Sequence, residues 1–221
     1  MRSIWVQRSV FKLIAFSACL AACVLISCSE SLEDATVSKL DASGVYLLYR
    51  GTYTKEGLAV RDFNICDPDA THVGLLFFDK YWTVAHVMSS KTENDFLLQD
   101  ISEFLSDENH IKYVSLWEVP SFTTTERHQL FKVLDSLKKE KVKFDLTFSN
   151  LPDDKLYCSE FVYFALSKAK KGCFSFQQSR KKLTQVQSLF LKRDSLDYFP
   201  VDMFQKDQRF KKIYAKHLNS Q

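Results

Sequence analysis

Residues 71–88 read Thr71-His72-Val73-Gly74-Leu75-Leu76-Phe77-Phe78-Asp79-Lys80-Tyr81-Trp82-Thr83-Val84-Ala85-His86-Val87-Met88. Two runs rich in Val, Leu, Phe, Thr and Trp flank Asp79-Lys80, the pattern of a β-hairpin. With the turn at Asp79-Lys80, His72 falls opposite Val87. The rings of His72 and His86 then meet only if a bulge or a small register shift aligns their faces. Working outward, Val45–Arg50 (VYLLYR) and Ile111–Val119 (IKYVSLWEV) are further strands, the second closed by Pro120. Thr123-x-x-Glu126 has the form of a capping box. Behind it Leu130, Val133, Leu134 and Leu137 follow the i, i+3, i+4, i+7 spacing of an amphipathic helix. The basic run Lys138–Lys143 suits the solvated C-terminal end of that helix. Asp153-Asp154 precede a second helix, roughly Tyr157 to Lys171, with Phe161, Val162, Ala165 and Ala169 on one face and Gly172 at its end. An amphipathic segment, Met203–His217, packs through Phe204, Phe210 and Ile213. Strands and helices mix without strict alternation, which favours an α+β fold over a doubly wound parallel sheet.

The composition narrows the function classes. The chain has 221 residues, 46% hydrophobic and 26% charged, with 19 Phe against 5 Gly and 4 Pro, which excludes disordered and collagen-like chains. Three of the 30 basic residues (Arg2, Arg8 and Lys12) precede Cys28 and none of the 27 acids does, so the body from Cys28 onward is balanced. A neutral body carries no electrostatic footprint for nucleic acid.

Those three cations, followed by the apolar run Leu13–Ile26, have the layout of a secretory signal and are too short to span a bilayer. The run ends in Leu25-Ile26-Ser27-Cys28, which resembles the lipobox of bacterial lipoproteins. The resemblance implies a signal peptide over 1–27, a diacylglycerol on Cys28 and an acylated, flexible tether over 28–43 that holds a domain over 44–221. Ser29, where inner-membrane retention favours Asp, leans towards the outer membrane of the cell envelope.

Cys19 and Cys23 leave with the signal, so Cys66, Cys158 and Cys173 remain. In an oxidising compartment that odd count allows one disulfide and one free thiol. Cys158 is expected to be the free one, with a Cys66–Cys173 bond left open. It opens the second helix in Tyr157-Cys158-Ser159-Glu160, where the helix dipole lowers a thiol pKa. A nucleophilic cysteine also needs an imidazole. His110, His128 and His217 lie on polar stretches or an exposed helix side, which leaves His72 and His86.

Thr71-His72-Val73-Gly74-Leu75 followed by Val84-Ala85-His86 resembles the "HVGI … IHA" segment of NlpC-like cell-wall peptidases, papain-like enzymes with a Cys-His-His type triad. Most of those enzymes place the cysteine helix first. Here Leu156-Tyr157-Cys158-Ser159-Glu160-Phe161-Val162 comes later. That order is similar to the circularly permuted YiiX/YaeF-like branch, as are Phe144-Asp145 and the stretch Tyr198-Phe199-Pro200-Val201-Asp202. The resemblance spans roughly residues 44–205. It implies a papain-like fold, an antiparallel sheet packed by helices, with Cys158 as nucleophile, His72 as its ion-pairing base and His86 orienting that base. The Cys158 N–H would contribute to an oxyanion hole. Two positions depart from the pattern. The family's "GDL" reads Gly44-Val45-Tyr46, and members of the permuted branch often carry Glu where this chain has His86.

The implied activity is a cysteine amidase or peptidase acting through an acyl-enzyme, with murein stem peptides or another acyl amide as substrate. An acyltransferase or lipid-amide hydrolase on the same fold, its acyl pocket lined from the 31 aromatic residues, is the second expectation. A non-catalytic envelope lipoprotein that binds a glycan or partner is the third. No HExxH spacing and no CxxC pair occurs in the mature body, so neither a metal nor a cofactor is expected. A monomer is expected.

Overall fold

The hairpin forms the centre of the molecule. In a computed structural model, which describes residues 32–38, 40–89, 96–106, 110–148 and 155–218, His72–Phe78 (β2) and Trp82–Val87 (β3) pair antiparallel from Phe78↔Trp82 to Leu75↔Ala85. Phe78 thus faces Trp82, and Asp79, Lys80 and Tyr81 make a three-residue turn rather than the two-residue turn read from sequence. That single-residue shift puts Gly74 and His86 in one register, so His72 and His86 share a face on a diagonal.

Six strands make the main sheet. Val45–Thr52 (β1), Phe96–Asp100 (β4), Ile111–Glu118 (β5) and Lys211–His217 (β10) join the hairpin in the order β10-β5-β1-β2-β3-β4. Neighbouring strands are antiparallel throughout. The expected α+β class with an antiparallel sheet is what the chain adopts. Parallel pairing is confined to the short strands Lys143–Phe144 (β6) and Lys155–Leu156 (β7). Ser179–Lys182 (β8) and Ser195–Tyr198 (β9) form a separate antiparallel ribbon.

One face of the sheet carries the main core. Leu47, Tyr49, Val73 and Leu75 pack there against Leu130, Leu134 and Leu137 of one helix and Phe161, Val162 and Ala165 of another. The first helix, Thr124–Glu140, has both halves of the capping box between Thr123 and Glu126, and its whole expected apolar stripe is buried. The second, Cys158–Ala169, starts one residue after Tyr157 and buries Cys158 with the same face. Strand alternation puts Arg50, His72 and His86 on the opposite face, under the short helix Ile101–Phe104. In chain order the helices are α1 (Leu32–Val37), α2 (Lys55–Arg61), α3 (Ile101–Phe104), α4 (Thr124–Glu140), α5 (Cys158–Ala169) and α6 (Gln185–Leu191).

Two ends differ from the sequence reading. One compact unit runs from Thr36 to Gln221. Within the expected tether, residues 32–37 form α1 and Thr36 is fully buried. The segment Met203–His217 is a 3-10 turn, Met203–Lys206, followed by the edge strand β10. Its alternating pairing with β5 satisfies the backbone, while Phe204 and Phe210 are buried as expected and Ile213 only partly. The signal peptide, Cys28 and Asp153-Asp154 lie outside the described residues. No helix among the described residues is long and apolar enough to cross a membrane.

Candidate active site

The two hairpin histidines meet. His72 Nε2 lies 3.0 Å from His86 Nδ1, and His86 Nε2 lies 2.7 Å from Gln99 Oε1 on β4. The direction of this chain follows from its far end. A carbonyl oxygen only accepts, so His86 Nε2–H donates to Gln99 and His86 Nδ1 is bare. His86 Nδ1 therefore accepts from His72 Nε2–H, which leaves His72 Nδ1 as the unprotonated nitrogen. Nothing in the sequence singled out Gln99. Gly74 is what lets β3 come so close, because a Cβ there would sit 2.6 Å from Val84 Cγ1 and 3.2 Å from His86 Cβ.

Cys158 arrives from the other side of the sheet. The main-chain groups of Val73, Ser159 and Cys158 pull its pKa down, so the sulfur lies beside the main chain of the residue that follows His72. The β2–β3 ladder stops at Leu75↔Ala85, short of Val73. No hydrogen bond joins the thiol to either imidazole in this arrangement. Tyr157, at the helix N-cap, makes no side-chain cap to the first-turn amides.

The third approach is Arg50, which the sequence reading passed over as the polar end of an apolar strand. It pairs with His72 across β1 and β2 and is only 4% exposed. Its Nη1–H donates to Phe104 O at 2.7 Å, and its guanidinium lies 4.3 Å from the centre of the Phe104 ring. The same ring packs against both imidazoles, 5.9 Å from His72 and 5.0 Å from His86. No described carboxylate forms an ion pair with Arg50, and burial holds its pKa down to about 10.

These surroundings set the protonation states. Burial pushes the Cys158 thiol up to about 11, against the opposing pull of the amides and of Arg50. The expected low-pKa thiolate is therefore not the resting state. Cys158 is 7% exposed, and the helix dipole acts within a site where desolvation of the anion is the larger effect. Burial and the Arg50 charge hold His72 well below the ordinary histidine range, and the same two causes bring His86 to about 3. At neutral pH the constellation is a neutral thiol beside two neutral imidazoles and one buried cation.

A C-terminal clamp holds the two halves in place. The buried Asp202 carboxylate accepts from the N–H groups of Ile65, Cys66 and Asp67 at 2.5–3.0 Å, fixing the loop that leads into β2. In the same stretch Phe199 O accepts from Ser159 Oγ at 2.6 Å, and Phe199 N–H donates to Tyr157 Oη at 2.8 Å. Tyr198–Asp202 thus ties the loop before His72 to the helix start that carries Cys158. Asp145, also read from sequence, is buried and its Oδ1 accepts from Thr147 N at 2.8 Å and Thr147 Oγ1 at 2.7 Å, a local turn. Cys66 and Cys173 are both free thiols, as is Cys158.

No protein-family model matches the chain, and no curated protein is detectably similar to it in sequence. Among solved structures the chain is similar to the metalloprotein yiiX from Escherichia coli O157:H7, with a TM-score of 0.59 at 12% identity, over 81% of this chain and all of that one. No group of three or more His, Cys, Asp or Glu side chains suited to a metal ion occurs among the described residues, so the metal in that protein's name finds no matching donor set in them. At 12% identity the likeness is one of architecture: the chain has a YiiX-like α+β fold.

Proposed function

We propose that this protein is a cysteine amidase or peptidase of the circularly permuted papain-like type, tethered to the cell envelope, in which Cys158 attacks an amide carbonyl. The observation that carries the reading is the directed chain Gln99–His86–His72, whose unprotonated end is His72 Nδ1, together with the Val73 main chain, next in sequence to His72, beside the Cys158 sulfur. The reaction then starts from neutral partners. His72 Nδ1 takes the thiol proton as the sulfur attacks, and Arg50 and the amides at the start of α5 stabilise the charge on sulfur. His72 acts here as a general base during attack, in place of the preformed ion pair that the resemblance implied. The first-turn N–H groups of α5 face the oxyanion of the tetrahedral intermediate. His72 returns its proton to the leaving amine, and a water activated by the same imidazole hydrolyses the thioester.

The substrate class within reach of an envelope lipoprotein is the murein stem peptide. Phe174, Phe176, Phe204 and Phe210 pack on one another, which takes these rings away from the acyl-pocket alternative. One observation favours the non-catalytic alternative: a thiol at about 11 without an imidazole contact also describes a structural cysteine. Incubating the protein with murein and with simple acyl amides separates the two readings. Release of free amines by wild type and none by Cys158→Ala is the expected result. Equal release, or none by either protein, would end the enzyme reading.

A further inference from the structure

The active site leaves unused the segment from β8 through α6 to β9. The two strands pair from Ser179↔Tyr198 to Lys182↔Ser195, so residues 183–194 close the end of the ribbon. The ribbon has its own small core of Leu183, Leu196 and Tyr198, with Phe63, Phe148 and Leu191 packed on it. The helix at its tip is formed by local rules: a capping box between Thr184 and Gln187, and a left-handed C-cap at Lys192.

What that helix presents is unusual. None of its residues is buried. Val186, Leu189 and Phe190 fall at i, i+3, i+4 and are 77%, 75% and 75% exposed, the highest values among the large apolar side chains described. The surrounding charge is positive. Arg180, Lys181, Lys182, Lys192 and Arg193 face only Asp194 and Asp197 in this segment, although the body as a whole is balanced. Arg180 pairs with Asp197 at 3.7 Å, and Lys181 and Arg193 donate to the carbonyls of Asp62 and Thr147. Lys182 and Lys192, nearest the tip, are exposed, and their ammonium groups form no hydrogen bond or ion pair with a described residue.

We propose that α6 docks this domain on the surface of an anionic phospholipid bilayer, with Val186, Leu189 and Phe190 entering the headgroup–acyl boundary and Lys182 and Lys192 meeting lipid phosphates. A bilayer matches these observations better than a protein partner does. A stable protein interface buries about 800 Å² per side with a complementary shape, more than three side chains on a two-turn tip present. Shallow insertion needs only exposed apolar side chains and flanking cations. The docking is independent of the Cys158 chemistry and of acylation at Cys28, and it would set how the domain is oriented on a membrane.

The test places an indole at the tip with Phe190→Trp in the full chain and subtracts the emission of wild type, whose own tryptophans are Trp5, Trp82 and Trp117. Vesicles of phosphatidylcholine alone and of phosphatidylcholine mixed with phosphatidylglycerol carry brominated acyl chains as quenchers. The expected result is a blue shift and bromolipid quenching on the anionic vesicles. Replacing the two cations (Lys182→Gln with Lys192→Gln) should lower the docked fraction by roughly an order of magnitude. Absence of bromolipid quenching on anionic vesicles overturns the proposal. Equal quenching on neutral vesicles overturns the role of the cations. Shielding of the indole from acrylamide without vesicles, accompanied by a dimer in sedimentation, would instead make the tip a protein interface.

Discussion

Replacing Arg50 by Met discriminates between two electrostatic descriptions of the nucleophile. The side chains are of similar length, and the change removes a buried cation that acts on all three of Cys158, His72 and His86. The consequence depends on what neutralises the thiolate. If the sulfur ionises beside neutral imidazoles, loss of the guanidinium raises the thiol pKa above its present value of about 11. A neighbouring charge moves a pKa by about 1–3 units, so the thiolate fraction at a given pH falls at least about tenfold. If the nucleophile is a thiolate–imidazolium pair, the same loss destabilises the anion but relieves His72, and the two effects nearly cancel. The assay is alkylation of Cys158 by iodoacetamide across the neutral to alkaline range, with peptide mapping to separate it from Cys66 and Cys173. Arg50→Lys keeps the charge and controls for packing around Phe104. The expected order of rates is wild type, then Arg50→Lys, then Arg50→Met slower by about tenfold or more. Alkylation of Arg50→Met at the wild-type rate or faster would refute the account in which Arg50, rather than an imidazolium, supports the sulfur.

Three further outcomes are expected. Stability should fall on acidification below the ordinary histidine range. His86 is held at about 3 in the fold against 6.5 for an ordinary histidine, so between these limits the unfolded chain takes up a proton that the folded one does not. Stability is then complete above the upper limit and is lost by up to about 1.4 kcal/mol per pH unit towards the lower one; urea titrations in that window should give a shallower pH slope for His86→Asn. Gln99→Glu should reverse part of this electrostatic setting. A carboxylate at 2.7 Å from His86 Nε2 raises both imidazole pKa values, so the pH optimum of the proposed amide cleavage should move and wild-type behaviour should return in Gln99→Asn only if the bond is remade. Asp202→Ala leaves the N–H groups of Ile65, Cys66 and Asp67 without their acceptor, which should cost about 2–4 kcal/mol by thermal or denaturant unfolding; hydrogen exchange should rise first in residues 64–71, ahead of β1.

What could be read from residues alone follows a physical boundary. Leu130, Val133, Leu134 and Leu137 are periodic, and the Thr123–Glu126 box is local, so the start and the buried stripe of α4 were legible, while its basic tail ends at Glu140 and Lys143 passes into β6. VYLLYR and IKYVSLWEV are apolar runs long enough to be central strands, and both are. The hairpin was legible as an element while its register was not. Asp79-Lys80 reads as a two-residue turn, and the third turn residue, Tyr81, is an aromatic whose β propensity hides it. That one residue decides whether His72 and His86 share a face. β4 and the β8–α6–β9 ribbon were missed because their sequences, FLLQD and SRKKLTQVQSLFLKRDSLDY, lack the alternation or the inward stripe on which such readings depend. Met203–His217 is periodic enough to pass as one amphipathic element, yet an edge position beside β5 draws its second half into a strand.

The same boundary runs through the site. Cys158, His72 and His86 are residue types whose chemistry announces itself, and the helix start and the hairpin gave each a setting. Gln99 and Arg50 carry no such announcement, since an amide on a short strand and a cation at the end of an apolar one are ordinary surface residues until the fold encloses them. Their enclosure changes the chemistry inferred for the other three. The helix dipole, a local property visible in sequence, argues for a thiolate, whereas burial of the sulfur among β2, α5 and Arg50 is a long-range property and outweighs it. A buried guanidinium that lowers the thiol pKa also lowers that of the base meant to receive the proton. An arrangement with those two signs is poorly suited to storing a thiolate–imidazolium pair and well suited to moving the proton only as the carbon–sulfur bond forms. Under the proposed function the resting thiol is then protected from alkylation and oxidation, while the cation remains in place for the charge that would develop on sulfur once an amide carbonyl is bound.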